Sequence, residues 1–161
     1  MNQLIQLSSG SKYQLTFYRL EELFDGLISC PVCEIVLKTI DAKKEYEAEV
    51  FTEASNHVYS FLQEQTAIIF VYCNNDPIPK SNRNEALSNA VFKSQLFDAL
   101  YERQKIAAQQ ANQVFTIEKY EVEMPIDNED NHHVRVFTNQ GNDANLNEFI
   151  TRFLKRETPA Q

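Results

Sequence analysis

Polar and apolar residues alternate over residues 12–18, where Tyr13, Leu15 and Phe17 follow one another at intervals of two. This period of two predicts a strand with one buried face. Leu20, Leu23, Phe24, Leu27 and Ile28 then recur at spacings of three and four, which predicts a short amphipathic helix over residues 20–29, confined by Gly26 and Pro31. Residues 33–40 and 45–51 read as two β-rich runs joined by the polar segment 41–44, an antiparallel hairpin. Thr52 or Ser55 caps a following helix in which Ala54, Val58, Phe61 and Leu62 share one face. Residues 67–73 (Ala-Ile-Ile-Phe-Val-Tyr-Cys) are apolar on both faces, the pattern of a central strand covered by helices on each side.

Ser81 is placed to cap a long helix running from residue 82 to at least residue 104. Its stripe comprises Ala86, Leu87, Ala90, Val91, Phe97, Leu100 and Tyr101. Residues 115–124 and 134–138 read as two further strands, separated by the polar connector 125–133. Leu146, Phe149, Ile150, Phe153 and Leu154 define a last amphipathic helix, with Asn142 or Asp143 at its cap. The order β-α-β-β-α-β-α-β-β-α predicts an α+β fold. It consists of a single domain over residues 1–156 and a tail at 157–161, with a mixed, mostly antiparallel sheet of six strands. One βαβ crossover joins the runs 45–51 and 67–73.

Length and composition agree with one folded domain: 161 residues, 43% hydrophobic, with 11 Phe and 7 Tyr. Only three glycines occur, so no glycine-rich phosphate cradle can be written anywhere. A net charge of −8 opposes sequence-independent attraction to nucleic acid or to an anionic membrane. The longest apolar run is far short of the ~20 residues of a membrane span, and the first residues carry no secretory pattern. Three cysteines without disulfide-framework spacing point to a reducing, cytoplasmic setting.

Chemistry is sparse. Ligands of open sheets gather beyond the carboxyl ends of strands, which singles out Tyr72, Asn74, Asp76, Arg83 and Asn84 as a candidate ligand site. There Asp76 would serve as a base and Arg83 as an anion clamp beside a helix N-terminus. Turn chemistry and ordinary capping explain the same residues more simply. Cys30-Pro-Val-Cys33 could hold zinc only if Cys73 plus His57, His132 or His133 completed the four ligands, and burial beside a strand is the simpler reading. No cofactor is expected. His132 and His133 are adjacent, so on a strand they point to opposite faces and cannot chelate together. No nucleophile elbow, H-E-x-x-H or Ser-His-Asp setting occurs, so the reading leans away from an enzyme.

Acidic residues carry more information. Glu45, Glu47 and Glu49 are spaced by two, and so are Glu121 and Glu123, so each set shares a face of its predicted strand. Together they would form a carboxylate ribbon able to steer a basic partner, or a solvated face that discourages edge pairing. The C-terminal helix adds Arg152 and Lys155 as candidate docking residues.

The tract Phe70-Val-Tyr-Cys-Asn-Asn-Asp76, followed by Ser81-Asn-Arg-Asn84 and Phe92, resembles an uncharacterised bacterial family. In that family a strand ending in a V-Y-x-C/D tract leads through a short polar loop to an Arg-rich helix start. The resemblance covers residues 52–103 and implies a bacterial origin and a fold, not an activity; only Arg83 stands where the family tends to have several arginines. The sequence therefore reads first as a small cytoplasmic protein-interaction module. It would be an accessory, immunity or antitoxin-like subunit whose acidic sheet face meets a protein partner or a second copy of the chain. The alternative is an enzyme or an anion- or nucleotide-binding domain using Asp76 and Arg83.

Overall fold

The computed structural model describes residues 1–44, 48–76 and 86–157, with residues 154–157 described as helix backbone. In chain order the elements are β1 (Asn2–Gln6), β2 (Lys12–Arg19), a 3₁₀ turn (Glu21–Phe24), β3 (Val32–Asp41), α1 (Glu49–Glu64) and β4 (Ile68–Cys73). They continue with α2 (Asn89–Gln110), β5 (Ile117–Met124), β6 (His132–Asn139) and α3 (Asp143–Glu157). The six strands form one mixed sheet in the order β1-β2-β3-β4-β6-β5. All neighbours are antiparallel except β3 and β4, which run parallel in the register Val32↔Ile68 and Glu34↔Phe70. This is the α+β fold that the hydrophobic pattern predicts, with β3-α1-β4 as its crossover.

Strand β4 lies inside the sheet and is buried on both faces. Ala67 and Ile69 belong to a cluster with Val50, Ala54, Val58 and Leu62 of α1. Ile68 and Phe70 belong to a second cluster with Leu146, Phe149 and Phe153 of α3. Two helices thus cover one face of the sheet, and α3 with the 3₁₀ turn covers part of the other. Each buried Leu, Ile or Phe in these layers contributes roughly 1.5–3 kcal/mol. Ring contacts of Phe149 with Phe70 (5.1 Å) and Phe24 (5.7 Å) tie α3 and the turn to the central strand.

Polar side chains close the junctions. Asn139 Oδ1 accepts from the Ala67 N–H (2.9 Å), and its amide donates to the Leu62 carbonyl (2.6 Å). Asn139 thereby satisfies the backbone where α1 turns into β4. The Thr138 hydroxyl donates to the Ala67 carbonyl (2.7 Å) and accepts from Asn142 (3.0 Å).

Several sequence expectations are corrected. The N-terminal β1 is an added strand, pairing with β2 through a turn in which Gly10 takes φ +90°. The helix expected at 20–29 shrinks to one 3₁₀ turn, because Asp25 (φ 53°) and Gly26 (φ 75°) enter the left-handed region. Residues 49–51 of the expected strand 45–51 are helical instead, since α1 begins at Glu49, while residues 45–47 lie outside the described residues. Val50 explains the helix, since it stands about one turn before Ala54 and about two before Val58 on the same buried stripe. The parallel partner of β4 is consequently β3. Helix α2 starts at Asn89 under the cap of Ser88, whose hydroxyl accepts from the Val91 N–H (3.2 Å), and not at residue 82. Helix α3 extends to Glu157, into the expected tail. Among the described residues, no helix is long and apolar enough to cross a membrane.

Candidate functional site

The carboxyl end of β4 carries a chain of side-chain hydrogen bonds. Tyr72 points to the α3 side of the sheet, and its hydroxyl lies 2.7 Å from Nδ1 of His132, the first residue of β6. Nε2 of the same ring lies 2.8 Å from Glu129 Oε1, in the loop between β5 and β6. The two rings meet edge to face at 5.3 Å. Glu129 also accepts from Asn75 Nδ2 (3.2 Å). Asn75 is itself fixed: it donates to the Asp130 carbonyl (2.6 Å), while its carbonyl and Oδ1 accept from Asn89 Nδ2 (3.0 Å) and the Ala90 N–H (3.4 Å). Hydrogen bonds from Asn75 and His132 hold the Glu129 carboxyl below its ordinary value. An ionised carboxylate only accepts, so Nε2 is the donor to Glu129, and on a ring carrying that single proton Nδ1 accepts the hydrogen bond of the Tyr72 hydroxyl.

Two concavities flank this chain. One, of about 580 Å³, is open and polar, lined by Asn75, Ser88, Asn89, Asn128, Glu129 and Asp130. The other, of about 340 Å³, is a largely apolar groove between the 3₁₀ turn and α3, floored by Phe70 and Tyr72 and bordered by Leu23, Phe24, Glu34 and Phe153.

Of the ligand residues expected from the sequence, Tyr72, Asn74 and Asp76 gather here, while Arg83 and Asn84 lie outside the described residues. Asn74 and Asp76 close a turn on each other: Asn74 Nδ2 donates to Asp76 Oδ2 (3.0 Å) and the Asp76 N–H to Asn74 Oδ1 (3.1 Å). Lys93 donates to Asn74 Oδ1 (2.8 Å), and burial pulls its ammonium below the ordinary value. Glu129 and His132 are the residues that sequence reasoning did not join to this site. His132 and Glu129 are separated by three positions in a connector that reads as solvated loop, and only strand pairing brings Tyr72 across to them.

Among the described residues, the carboxylates of the expected ribbon do not come together. Glu45 and Glu47 lie outside the described residues, and Glu49 sits in the first turn of α1, accepting from Ser8 (3.2 Å) beside the β1–β2 turn. Glu121 and Glu123 lie on β5, at the opposite edge of the sheet. Glu121 is an ion-pair partner of Lys119 (3.3 Å), and Glu123 accepts from Asn131 (2.7 Å). On α3, Arg152 faces Glu148 at 3.8 Å, and the side chain of Lys155 lies outside the described residues.

The cysteines do not converge either. Cys30 packs in the α3 cluster, Cys33 in the α1 cluster, and Cys73 is buried at the far end of β4. Among the described residues, no group of three or more His, Cys, Asp or Glu is placed to hold a metal ion. Burial pushes the thiol of Cys33 up to about 11 and that of Cys73 to about 12, and raises that of Cys30. Such thiols are poor nucleophiles.

A different surface stands open. On the α3 side of β1, β2 and β3, register aligns Leu4 with Gln14, Thr16 with Val36, and Tyr18 with Glu34. None of these residues joins the α3 cluster. Leu4 is 61% exposed, Tyr18 51%, Val36 39% and Ile40, at the end of β3, 53%. Leu23 and Leu27, also exposed, continue this surface toward the apolar groove. No protein-family model matches the chain, and neither a curated protein nor a solved structure matches it.

Proposed function

We propose that the chain is a cytoplasmic protein-interaction module that docks a partner protein on the uncovered face of β1, β2 and β3. One observation carries the reading: half of the sheet's second face has no helix over it among the described residues, yet displays Leu4, Tyr18 and Val36. A solvated sheet face normally carries polar side chains, and clustered exposed apolar groups favour a second molecule as cover. Aromatic and aliphatic centres with a polar rim, here Gln14, Thr16 and Lys38, are the anatomy of protein interfaces. The net charge of −8 favours a basic partner through steering rather than through the ribbon first expected. An accessory, immunity or antitoxin-like subunit fits this description, and three buried free thiols suit a reducing compartment.

The test is site-specific photo-crosslinking in the native cell, with the reactive group placed at Tyr18, at Val36 or, as control, at Gln95 on the exposed side of α2. The expected result is one discrete adduct shared by positions 18 and 36, absent from position 95. Adding Val36→Glu should abolish the adduct at position 18 without lowering the melting temperature. An adduct of twice the chain's mass identifies the partner as a second copy. Equal labelling from all three positions, or none from the sheet face, overturns the proposal.

A further inference from the structure

We infer that the outer edge of β1 pairs with β1 of a second copy of the chain, antiparallel and centred on Leu4, so that two six-stranded sheets join into one. Strands β1 and β5 are the two ends of the sheet, and they meet solvent differently. Strand β5 carries Glu118, Lys119, Glu121 and Glu123 along its length, the kind of charge that keeps an edge from recruiting other strands. Strand β1 (Asn-Gln-Leu-Ile-Gln) has no charged side chain and no proline, and its register with β2 is unbroken. Among the described residues no strand covers its outer side. An edge of this kind is a template for a further strand.

Register fixes which groups that edge offers. The Phe17 N–H donates to the Met1 carbonyl (2.9 Å), and the Leu7 N–H donates to the Ser11 carbonyl (2.9 Å). Hydrogen-bonded pairs alternate along an antiparallel ladder, so Gln3 and Ile5 bond to β2, while Asn2, Leu4 and Gln6 turn their N–H and C=O groups outward. The side chains of the same three residues share the uncovered face, and all three are exposed. A twofold axis through Leu4 sets Leu4 opposite its own counterpart and Asn2 opposite Gln6, so every bonded pair falls on outward groups. The carboxamides of Asn2 and Gln6 each donate and accept, and so match across the seam. The two Leu4 side chains, each 61% exposed in the single chain, cover one another. Charge points to the same occupant. Two chains of net charge −8 repel, but residues 1–11 carry no ionisable side chain, so copies can meet along this segment. The pairing uses the edge of the sheet and not its docking face, and neither reading needs the other.

Analytical ultracentrifugation of the full chain should show a dimer at sub-millimolar concentration that dissociates on dilution. Leu4→Pro removes an outward N–H that β2 does not use, and Leu4→Lys sets two like charges opposite each other. Each should weaken the dimer about tenfold or more. Neither should lower the melting temperature at low micromolar concentration, and Leu4→Lys decides the matter if proline disturbs the strand. Val36→Glu lies two strands away and should leave the dimer intact, which separates this edge from the docking face. Leu4→Cys should form a disulfide-linked dimer under a mild oxidant, since bonded partners stand about 5.5 Å apart at Cα, within the span of a disulfide. Gln95→Cys should not, and the three native cysteines are buried. A wild type that stays monomeric, a dimer undiminished by Leu4→Lys, a dimer lost in Val36→Glu, or equal crosslinking from positions 4 and 95 each overturns the proposal.

Discussion

Arg135 of β6 meets Asp98 of α2 through two parallel hydrogen bonds, Nε to Oδ1 at 2.7 Å and Nη2 to Oδ2 at 3.1 Å. The Arg135 side chain is only 7% exposed, and Lys119 of β5 shares the same carboxylate at 2.9 Å while lying over the Tyr101 ring. One aspartate on a helix thus fastens two neighbouring strands to it. Asp98→Ala leaves Arg135 largely buried with only the Glu121 carboxylate at 3.9 Å. The expected loss is roughly 2–4 kcal/mol, since removing one partner strands the other charge. Urea denaturation of the two proteins at neutral pH measures it.

The same pair sets an acid dependence. Burial pushes the Asp98 carboxyl up, but hydrogen bonds from Arg135 and Lys119, with their charges, outweigh it and hold the group below its ordinary 3.8. A carboxyl depressed in the folded state stabilises fully above its unfolded value and loses that contribution as pH falls through the folded one. The stability difference between wild type and Asp98→Ala should therefore be constant above about pH 5 and shrink below about pH 4. Urea midpoints measured across that range check it; a gap that widens toward low pH contradicts the assignment.

Asn139→Ala removes the two hydrogen bonds that satisfy the Ala67 N–H and the Leu62 carbonyl at the α1–β4 junction. Ala67 is fully buried, so water does not replace the partner. The expected cost is about 2–3 kcal/mol, because an unmade buried hydrogen bond costs more than a made one contributes. Hydrogen exchange should quicken at Ala67 before it does in β4.

The thiols should be silent in the folded chain. Cys33 and Cys73, held near 11 and 12 by burial, carry almost no thiolate at pH 8. A disulfide reagent at that pH should label them only at the rate of unfolding, and all three sites in urea. Rapid labelling of native protein at Cys73 would falsify the placement of that residue.

Much of the layering was legible beforehand. The run Ile68-Ile-Phe-Val-Tyr-Cys73 is too apolar to face water on either side, which makes a central position the only favourable one. Strand β2, strands β5 and β6 and the stripe of α3 followed from their periods. Strand β1 was hidden because Ile5, with Leu7 just past its end, is all that this short segment contributes to the core. Residues 45–51 misled because their alternation of glutamate with apolar residues suits a strand, whereas Val50 also continues the helical stripe of α1. Packing against the sheet decided between them at Glu49 and beyond.

Sequence alone determined which segments must be covered, since burial of apolar area acts residue by residue and leaves a periodic trace along the chain. Tertiary structure decided which polar groups meet. Tyr72 and His132 are sixty positions apart, Asp98 and Arg135 thirty-seven, and no local pattern encodes either contact. Hydrogen bonds depend on distances of a few ångströms between atoms on different elements, and only strand order and register set those distances.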